Sequence, residues 1–205
     1  MREVLRYRVQ LVRLRTAIKN RVHALLAMRG LASPASDLFG RAGGCWLTNL
    51  ELPAVPRRAI DGFLAVLDAI NVQVRLVESE IRRRVRESPE ARRVWTIPGI
   101  GRFGVLLIWA EIGDVRRFPD ARHVIAYAGL ALSVRSSGGR TYHGRITRQG
   151  SPLLRWILVE AAVAASRQEG ELRERYRRIA QRTGPKTARV ALARHLLNVV
   201  YRRPC

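Results

Sequence analysis

Two long amphipathic segments constrain the fold of this chain more than any other feature of its sequence. Apolar residues recur at helical spacing in Arg2–Arg29 and again in Pro56–Arg86, with charged residues on the remaining faces. Gly30 is a helix-stopping signal, and the Pro and Gly of residues 33–44 predict a loop, with a short helix at residues 46–50. We expect the long helices to pack antiparallel as a coiled-coil-like hairpin, which is either an internal arm or a dimer interface.

The pair Ser88-Pro89 interrupts the second helical pattern and predicts the start of a compact helical domain. We therefore divide the chain into a helical hairpin arm, residues 1–88, and a C-terminal domain, residues 89–205. Strand signals are weak, and only Leu132–Val134 and Thr141–Ile146 can pair as a small β-hairpin across Gly138-Gly139. The expected fold class is mainly α. Further helices are predicted to end at residues 92–96 and to span residues 104–112, 121–128, 152–167, 171–182 and 186–200.

The segment from residue 133 to residue 155 carries the most informative chemistry. Ser136 and Ser137 directly precede Gly138-Gly139, so their hydroxyl groups lie in backbone that can approach a partner closely. No Asp or Glu occurs between Asp120 and Glu160. Five arginines surround the serines, namely Arg135, Arg140, Arg145, Arg148 and Arg155. This combination suits a phosphodiester, which the arginines hold and which a serine either attacks or leaves intact.

A second candidate is the turn Ile97-Pro98-Gly99-Ile100-Gly101, which has the form of a helix-hairpin-helix turn. Its glycines allow backbone N–H groups to point outward at the start of the next helix, where the helix dipole also favours an anion. Such a turn holds a DNA phosphate without reading the base sequence. We predict nucleic-acid contacts at Gly99, Gly101 and Arg102. A tight turn between two core helices is the alternative.

Glu111 and Asp114 are the pair of carboxylates with the best spacing for a metal ion such as Mg²⁺. Arg116 and Arg117 follow them directly, and ion pairs with these arginines are the stronger expectation. A two-metal nuclease needs three or four convergent carboxylates, and the four histidines of the chain are scattered. We therefore predict no metal site and no cofactor in this chain.

The charge of the chain indicates its partner. The formal net charge is +22 and the sequence pI is about 11.7, which favours a polyanion and makes nucleic acid the leading candidate. All but two of the 38 basic residues are arginine, which suits bidentate phosphate binding but also the codon usage of a GC-rich genome. Cys45 and Cys205 have no metal or redox spacing, and no apolar run is long enough to cross a membrane. We expect a cytoplasmic, nucleoid-associated protein that binds DNA and no membrane.

Six motifs from residue 96 onward have a characteristic order, namely Thr96–Gly101 (TIPGIG), Ala110–Phe118 (AEIGDVRRF), Tyr127–Leu130 (YAGL), Ser136–Gly139 (SSGG), Gly144–Arg155 (GRITRQGSPLLR) and Lys186–Arg194 (KTARVALAR). On these motifs the chain from residue 96 onward resembles the C-terminal domain of the transposases of the insertion sequence 110/116/902 group, which are bridge-RNA-guided serine recombinases. The helix sequence Leu5–Leu26 (LRYRVQLVRLRTAIKNRVHALL) resembles the segment that follows the family's catalytic RNase-H-like domain.

The resemblance implies a recombinase serine in the SSGG motif that attacks the DNA backbone and forms a covalent phosphoserine intermediate. Ser137, next to Gly138, matches that position best, and Ser136 is the alternative. Arg140, Arg145 and Arg148 would then contact phosphate. The family further implies a guide RNA as a partner, and we expect a homo-oligomer formed through the helical hairpin.

The family's RNase-H-like domain, with its four metal-binding acids, is expected to precede residue 1. We therefore expect this chain to be a C-terminal part that is inactive alone, with Mg²⁺ bound only in the missing domain. Two alternatives to a transposase remain. One is a non-catalytic DNA- or RNA-binding remnant of a mobile element, and the other is a helical protein whose main role is dimerisation.

Overall fold

The computed structural model of the protein describes residues 1–137 and 140–202, apart from the side chains of residues 135, 140, 141 and 143. The described residues are mainly helical with one small sheet, so the expected fold class is confirmed. A short 3₁₀ helix, Val115–Arg117, was not predicted. The elements are α1 (Arg2–Ala27), α2 (Arg41–Asn49), α3 (Ala54–Glu87), α4 (Pro89–Trp95), α5 (Arg102–Ile112), α6 (Ala121–Tyr127), β1 (Leu132–Ser137), β2 (Arg140–Ile146), α7 (Pro152–Ala165), α8 (Glu171–Thr183) and α9 (Pro185–Arg202).

The chain divides into two compact units, of which one comprises Arg6–Glu78. Within it α1 and α3 run antiparallel, because the guanidinium of Arg8 lies 2.9 Å from the carboxylate of Glu78 and the other ends of the two helices share an apolar cluster. The buried members of that cluster are Val22, Leu26, Leu38, Leu47 and Ile60. The predicted helical hairpin is therefore present in this unit, and α2 closes its apolar end.

Helix α2 begins earlier than predicted, within the glycine-rich stretch that we expected to be a loop. A Cβ atom at Gly43 would lie 2.3 Å from the carbonyl oxygen of Asp37 and 2.5 Å from that of Leu38. The absent side chain thus lets the helix pack directly on the backbone that precedes it. Glycine here permits close packing within a helix, which composition alone cannot distinguish from a loop signal.

The other unit comprises Met1–Leu5 and Ser79–Cys205. Its core consists of α5, α7 and α9, with α7 packed against both others and α9 also contacting α6 and α8. Helix α5 is apolar on nearly all sides because it lies inside the unit. The largest fully buried side chains of these three helices are Leu106, Leu107, Ile108, Leu154, Leu158, Leu192, Leu196 and Leu197.

Polar residues fix where the helices of this unit begin. Ser88 accepts a hydrogen bond from the N–H of Ala91, and Pro89 follows it in the first turn of α4. Ser151 and Pro152 repeat the arrangement at α7, and Asp120 caps α6. Among the described residues, we find no helix with the length and apolar character needed to cross a membrane.

The turn between α4 and α5 is held against α7 by a close backbone approach. Gly99 has a φ of 86°, which favours glycine, and a Cβ atom there would lie 2.2 Å from the carbonyl oxygen of Ala161. Gly101 differs, since it has a φ of −77° and open space where a Cβ would stand. The two glycines of the turn therefore have different roles, and Gly99 is the one that packing requires.

We predict that Gly99→Ala destabilises the protein by about 2–4 kcal/mol, because it combines backbone strain with a clash against α7. Thermal unfolding followed by circular dichroism measures the change. Gly101→Ala is the matched control and should cost about 1 kcal/mol or less, since a Cβ there meets no other atom and only the N-cap preference for glycine over alanine is lost. Equal losses for both variants would contradict this account of the turn.

Candidate nucleic-acid interface and serine hairpin

The two candidate serines end the first strand of the β-hairpin. Strands β1 and β2 pair antiparallel, with Ser136 opposite Thr141 and Ser137 opposite Arg140. Both strands extend further than predicted, and the expected Gly138-Gly139 turn lies outside the described residues. Both serines are exposed, and consecutive strand residues point to opposite faces of a sheet. The two hydroxyl groups are therefore presented to different sides of the hairpin.

The five arginines expected around the serines differ in their surroundings. Arg145 and Arg148 have exposed side chains beyond the serines along the second strand and its continuation. The backbones of Arg135 and Arg140 pair with Tyr142 and Ser137 across the hairpin, while their side chains lie outside the described residues. The hairpin thus presents two exposed serines at the end of β1 and at least two exposed guanidinium groups toward its base, at and beyond the end of β2.

Arg155 lies at the base of the hairpin, and its side chain is half-buried. One terminal nitrogen of its guanidinium donates to the carbonyl oxygen of Arg148 at 3.1 Å and to that of Ala128 at 3.5 Å. The group therefore joins the segment before the hairpin to the segment after it. A guanidinium has five N–H donors, so the hydrogen bonds to these two carbonyl oxygens do not contradict a phosphate contact. The predicted phosphate contact of Arg155 stays a prediction.

Two glycines lock the base of the hairpin together. Gly129 has a φ of 67° and Gly150 a φ of 118°. A Cβ at Gly129 would lie 2.6 Å from the carbonyl oxygen of Gln149, and one at Gly150 would lie 2.0 Å from that of Tyr127. Backbone hydrogen bonds close the same region, from Thr147 N–H to Ala131 at 2.8 Å and from Ser151 N–H to Tyr127 at 3.3 Å. These contacts explain why the YAGL and RQGS sequences carry glycine at these positions.

A buried carboxylate lies behind this base. Glu111 is only 5% exposed, and its Oε2 accepts a 2.7 Å hydrogen bond from the hydroxyl group of Ser151. The Tyr127 hydroxyl group donates to the carbonyl oxygen of Glu111 at 3.1 Å. Since Ser151 also caps α7, Glu111 connects the end of α5 to the start of α7 and to α6.

The sequence pattern did not reveal the structural role of Glu111. From the sequence we considered a metal ion and, more strongly, an ion pair with Arg116 or Arg117. The available signal was an acid within a helix that is otherwise apolar on all sides. Asp114 likewise caps the short 3₁₀ helix by accepting from the N–H of Arg116 at 2.9 Å. Within residues 1–137 and 140–202, no group of three or more His, Cys, Asp or Glu residues is placed to hold a metal ion.

Aromatic stacking completes the support of the hairpin. The guanidinium of Arg117 lies 4.5 Å from the ring centroid of Phe118 and 4.7 Å from that of Tyr127. The two rings are 5.3 Å apart, and the hydroxyl group of Tyr201 donates to the carbonyl oxygen of Phe118 at 3.1 Å. The RRF and YAGL sequences therefore hold each other, so Arg117 stabilises this region through ring contacts.

The three residues predicted to contact nucleic acid at the α4–α5 turn are placed differently from one another. Gly99 packs on α7, as described above, whereas Gly101 and Arg102 are exposed at the start of α5. The guanidinium of Arg102 lies 4.4 Å from the ring centroid of Trp95. Gly101 and Arg102 are therefore the two that a partner can reach directly. The stacking of Arg102 on Trp95 was not predicted from the sequence.

His195 and Asp120 are among the titratable groups of this unit whose pKa values are shifted. Burial, and next the charge of Arg175, lower the pKa of His195, which lines a cleft of about 280 Å³ beside Pro98 and Glu171. The hydrogen bond from His123 lowers the pKa of Asp120, so this carboxylate stays ionised while it caps α6. Neither group adjoins the candidate serines in sequence, and we assign neither a catalytic role.

Comparisons with known proteins find similar sequences over most of the chain. Residues 91–177 match the model of the Transposase IS116/IS110/IS902 family, and this range contains the α4–α5 turn, the buried Glu111 and the serine hairpin. The chain is 30% identical over 169 residues to the "Probable family 20 transposase" of Pseudomonas aeruginosa, a match that covers 79% of this chain and 49% of that protein.

Two transposases of named insertion sequences are also similar. The transposase for insertion sequence element IS1111A of Coxiella burnetii is 27% identical over 93% of this chain and 54% of its own length. The transposase for insertion sequence element IS1328 of Yersinia enterocolitica is 28% identical over 77% of this chain and 47% of its own length. The chain thus spans about half the length of the relatives that it matches. It belongs to the Transposase IS116/IS110/IS902 family.

Proposed function

We propose that this chain acts in DNA transposition as a DNA-binding part that supplies the serine nucleophile of a site-specific recombinase. The observation that carries the proposal is the hairpin itself, which holds two exposed serines at the end of β1 and exposed arginines toward a base locked by glycine. Family membership supports the class of reaction. The net charge of +22 supports a polyanionic substrate.

In this proposal the Ser137 oxygen attacks a backbone phosphorus atom of DNA. A Ser137 O–P bond forms as the hydroxyl group loses its proton, the P–O bond to the leaving deoxyribose breaks, and the released sugar oxygen takes up one proton, so that the step balances. Arg145 and Arg148, with Arg135 and Arg140, stabilise the charge that develops on the phosphoryl oxygens. Rejoining reverses the step, because a sugar hydroxyl group attacks the phosphoserine and releases the serine.

DNA binding by the same unit involves the exposed start of α5. Gly101 at the N-cap leaves no side chain over the first backbone N–H groups, and Arg102 stands beside them. A helix-hairpin-helix type of phosphate contact at this turn and phosphate contacts at Arg155 complete the proposed interface. The acid-free stretch of residues 121–159 leaves the hairpin without local repulsion of DNA.

A non-catalytic DNA- or RNA-binding protein derived from a mobile element is the second candidate. The distribution of charge favours it independently of the serines, since residues 175–205 also contain no Asp or Glu and carry nine basic residues. A basic surface of this kind binds the phosphate groups of a nucleic acid regardless of the base sequence. A guide RNA is a further partner that this basic surface suits.

Self-association through the helical hairpin is also part of the proposal. The side chain of Leu76 on α3 is 60% exposed, Val72 one turn earlier is also exposed, and Leu14 on α1 is 55% exposed. Exposed apolar side chains in a row on a long helix are typical of an interface between helices. A second copy of the chain is the partner that we propose for this row.

Replacing the proposed nucleophile tests the chemistry. Ser137→Ala should abolish a covalent protein–DNA adduct, because no oxygen remains to form the phosphoserine bond. The measurement is a denaturing gel of the chain incubated with DNA that carries the genomic segment around its gene. Ser136→Ala is the matched control and should keep the adduct. An adduct that persists in Ser137→Ala would overturn the assignment.

Charge removal on the hairpin tests phosphate binding. Arg145→Gln and Arg148→Gln should each reduce the slope of log K against log salt for duplex DNA by about 0.9, which is the release expected from one phosphate contact. Arg83→Gln is the control, because Arg83 already lies 2.8 Å from Glu80 and 2.9 Å from Glu87. Fluorescence anisotropy at several salt concentrations gives the slopes. Unchanged slopes in both hairpin variants would exclude these arginines from the interface.

The proposed self-association is tested with a charge placed on α3. Leu76→Glu should shift the protein toward monomer in sedimentation velocity, because a carboxylate would have to be buried at the interface. Thr48→Glu adds the same charge at an exposed position of α2 and should leave the distribution unchanged. A monomeric unaltered chain at all concentrations, or equal effects of both variants, would rule out the hairpin interface.

A further inference from the structure

Two exposed tryptophans flank the first turn of α5 on either side. Trp95, the last residue of α4, is 42% exposed and has the guanidinium of Arg102 over its ring. Trp156 on α7 is 43% exposed and meets Phe103 edge to face, with the ring centroids 6.4 Å apart. Arg102 and Phe103 are consecutive, so the two pairs adjoin at the start of α5, and we name the four residues together the aromatic platform.

Exposed tryptophan carries a cost that calls for a partner. Each indole ring leaves a large apolar area in water, whereas many other apolar side chains of this unit are buried. The contacts with Arg102 and Phe103 restrain the rings at the surface. A flat, restrained and solvent-facing ring is suited to stacking on another planar group.

The charge around the aromatic platform favours a nucleic acid as that planar partner. Residues 91–110 contain three arginines and no acid, and all three arginine side chains are exposed. A protein covering the platform would bury Arg102, which is costly unless a carboxylate pairs with it. A nucleotide supplies both a planar group and a negative charge, because its base stacks on the indole and its phosphate pairs with arginine. Glu160, one turn after Trp156 on α7, is the acid nearest in sequence to the platform.

We propose that the aromatic platform stacks unpaired bases of a single-stranded nucleic acid, with Trp95 and Trp156 each offering a ring face. The inference rests on the proposed function in that it needs a nucleic-acid partner, and it adds a second mode of binding to the same unit. Bases inside a duplex are already stacked on each other, so the platform discriminates single strands from duplex. Either DNA or RNA can supply the unpaired bases.

The experiment measures binding of the full chain to three labelled probes of about 16 nucleotides. These are oligothymidine, oligouridine and a thymidine–adenosine duplex, each examined by fluorescence anisotropy. Trp95→Ala and Trp156→Ala should each raise the Kd for a single-stranded probe by about 5- to 150-fold. The Kd for the duplex should stay within about twofold, and the salt slope should stay unchanged because stacking releases no counterions. A larger loss with oligothymidine or with oligouridine identifies the preferred strand.

Trp109→Ala is the matched control. Trp109 lies on the same helix as Arg102, is 38% exposed and is not part of the aromatic platform, so its variant should bind all probes normally. Trp95→Phe should recover part of the affinity, because it retains an aromatic ring, and it separates stacking from a general loss of folding. Circular dichroism melting of every variant verifies the fold.

The possible results separate the inference from the proposed function. If the unaltered chain binds neither single strands nor duplex, the proposed function fails. If it binds both and the platform variants weaken them equally, or if Trp109→Ala has the same effect, the stacking platform is wrong while nucleic-acid binding stands. If the platform variants change only the sedimentation coefficient, the surface is a protein interface and the inference is overturned.

Discussion

The buried carboxylate of Glu111 is the constraint on which the serine hairpin depends. Burying a charge is costly, so the structure must supply partners, and Ser151 provides one at 2.7 Å. That partner is also the residue that starts α7, so the position of the helix is tied to the carboxylate. With Tyr127 donating to the backbone of the same glutamate, the segments before and after the hairpin start from fixed points. The hairpin can therefore project its serines without a core of its own.

The charge of the chain sets a second requirement. An excess of 22 positive charges opposes compaction, and exposed ion pairs such as those of Arg83 with Glu80 and Glu87 offset little of it. No Asp or Glu occurs in residues 121–159, so the segment that forms the hairpin has no local acids to offset its arginines. A polyanion that bound there would reduce the self-repulsion of the chain.

The sequence predicted the helical elements well because each long helix has a regular apolar stripe and a polar or proline residue at its start. It predicted the hairpin but not its length, since short strands have little periodicity. It failed at Gly43, where glycine indicated a loop but permits a close backbone approach within a helix. Gly99 makes a comparable approach to α7, and its predicted phosphate contact stays a prediction. Such approaches are tertiary contacts, which no local pattern contains.

Helix α7 brings the separate parts of the candidate interface into one frame. Ser151 at its start anchors the hairpin, Trp156 joins the aromatic platform, and Ala161 receives the α4–α5 turn at Gly99. The rise of an α-helix places Ser151 and Ala161 about 15 Å apart, which is about the length of four base-pair steps. Because all three contacts are made by one helix, a shift of α7 would move the serine hairpin, the aromatic platform and the α4–α5 turn together.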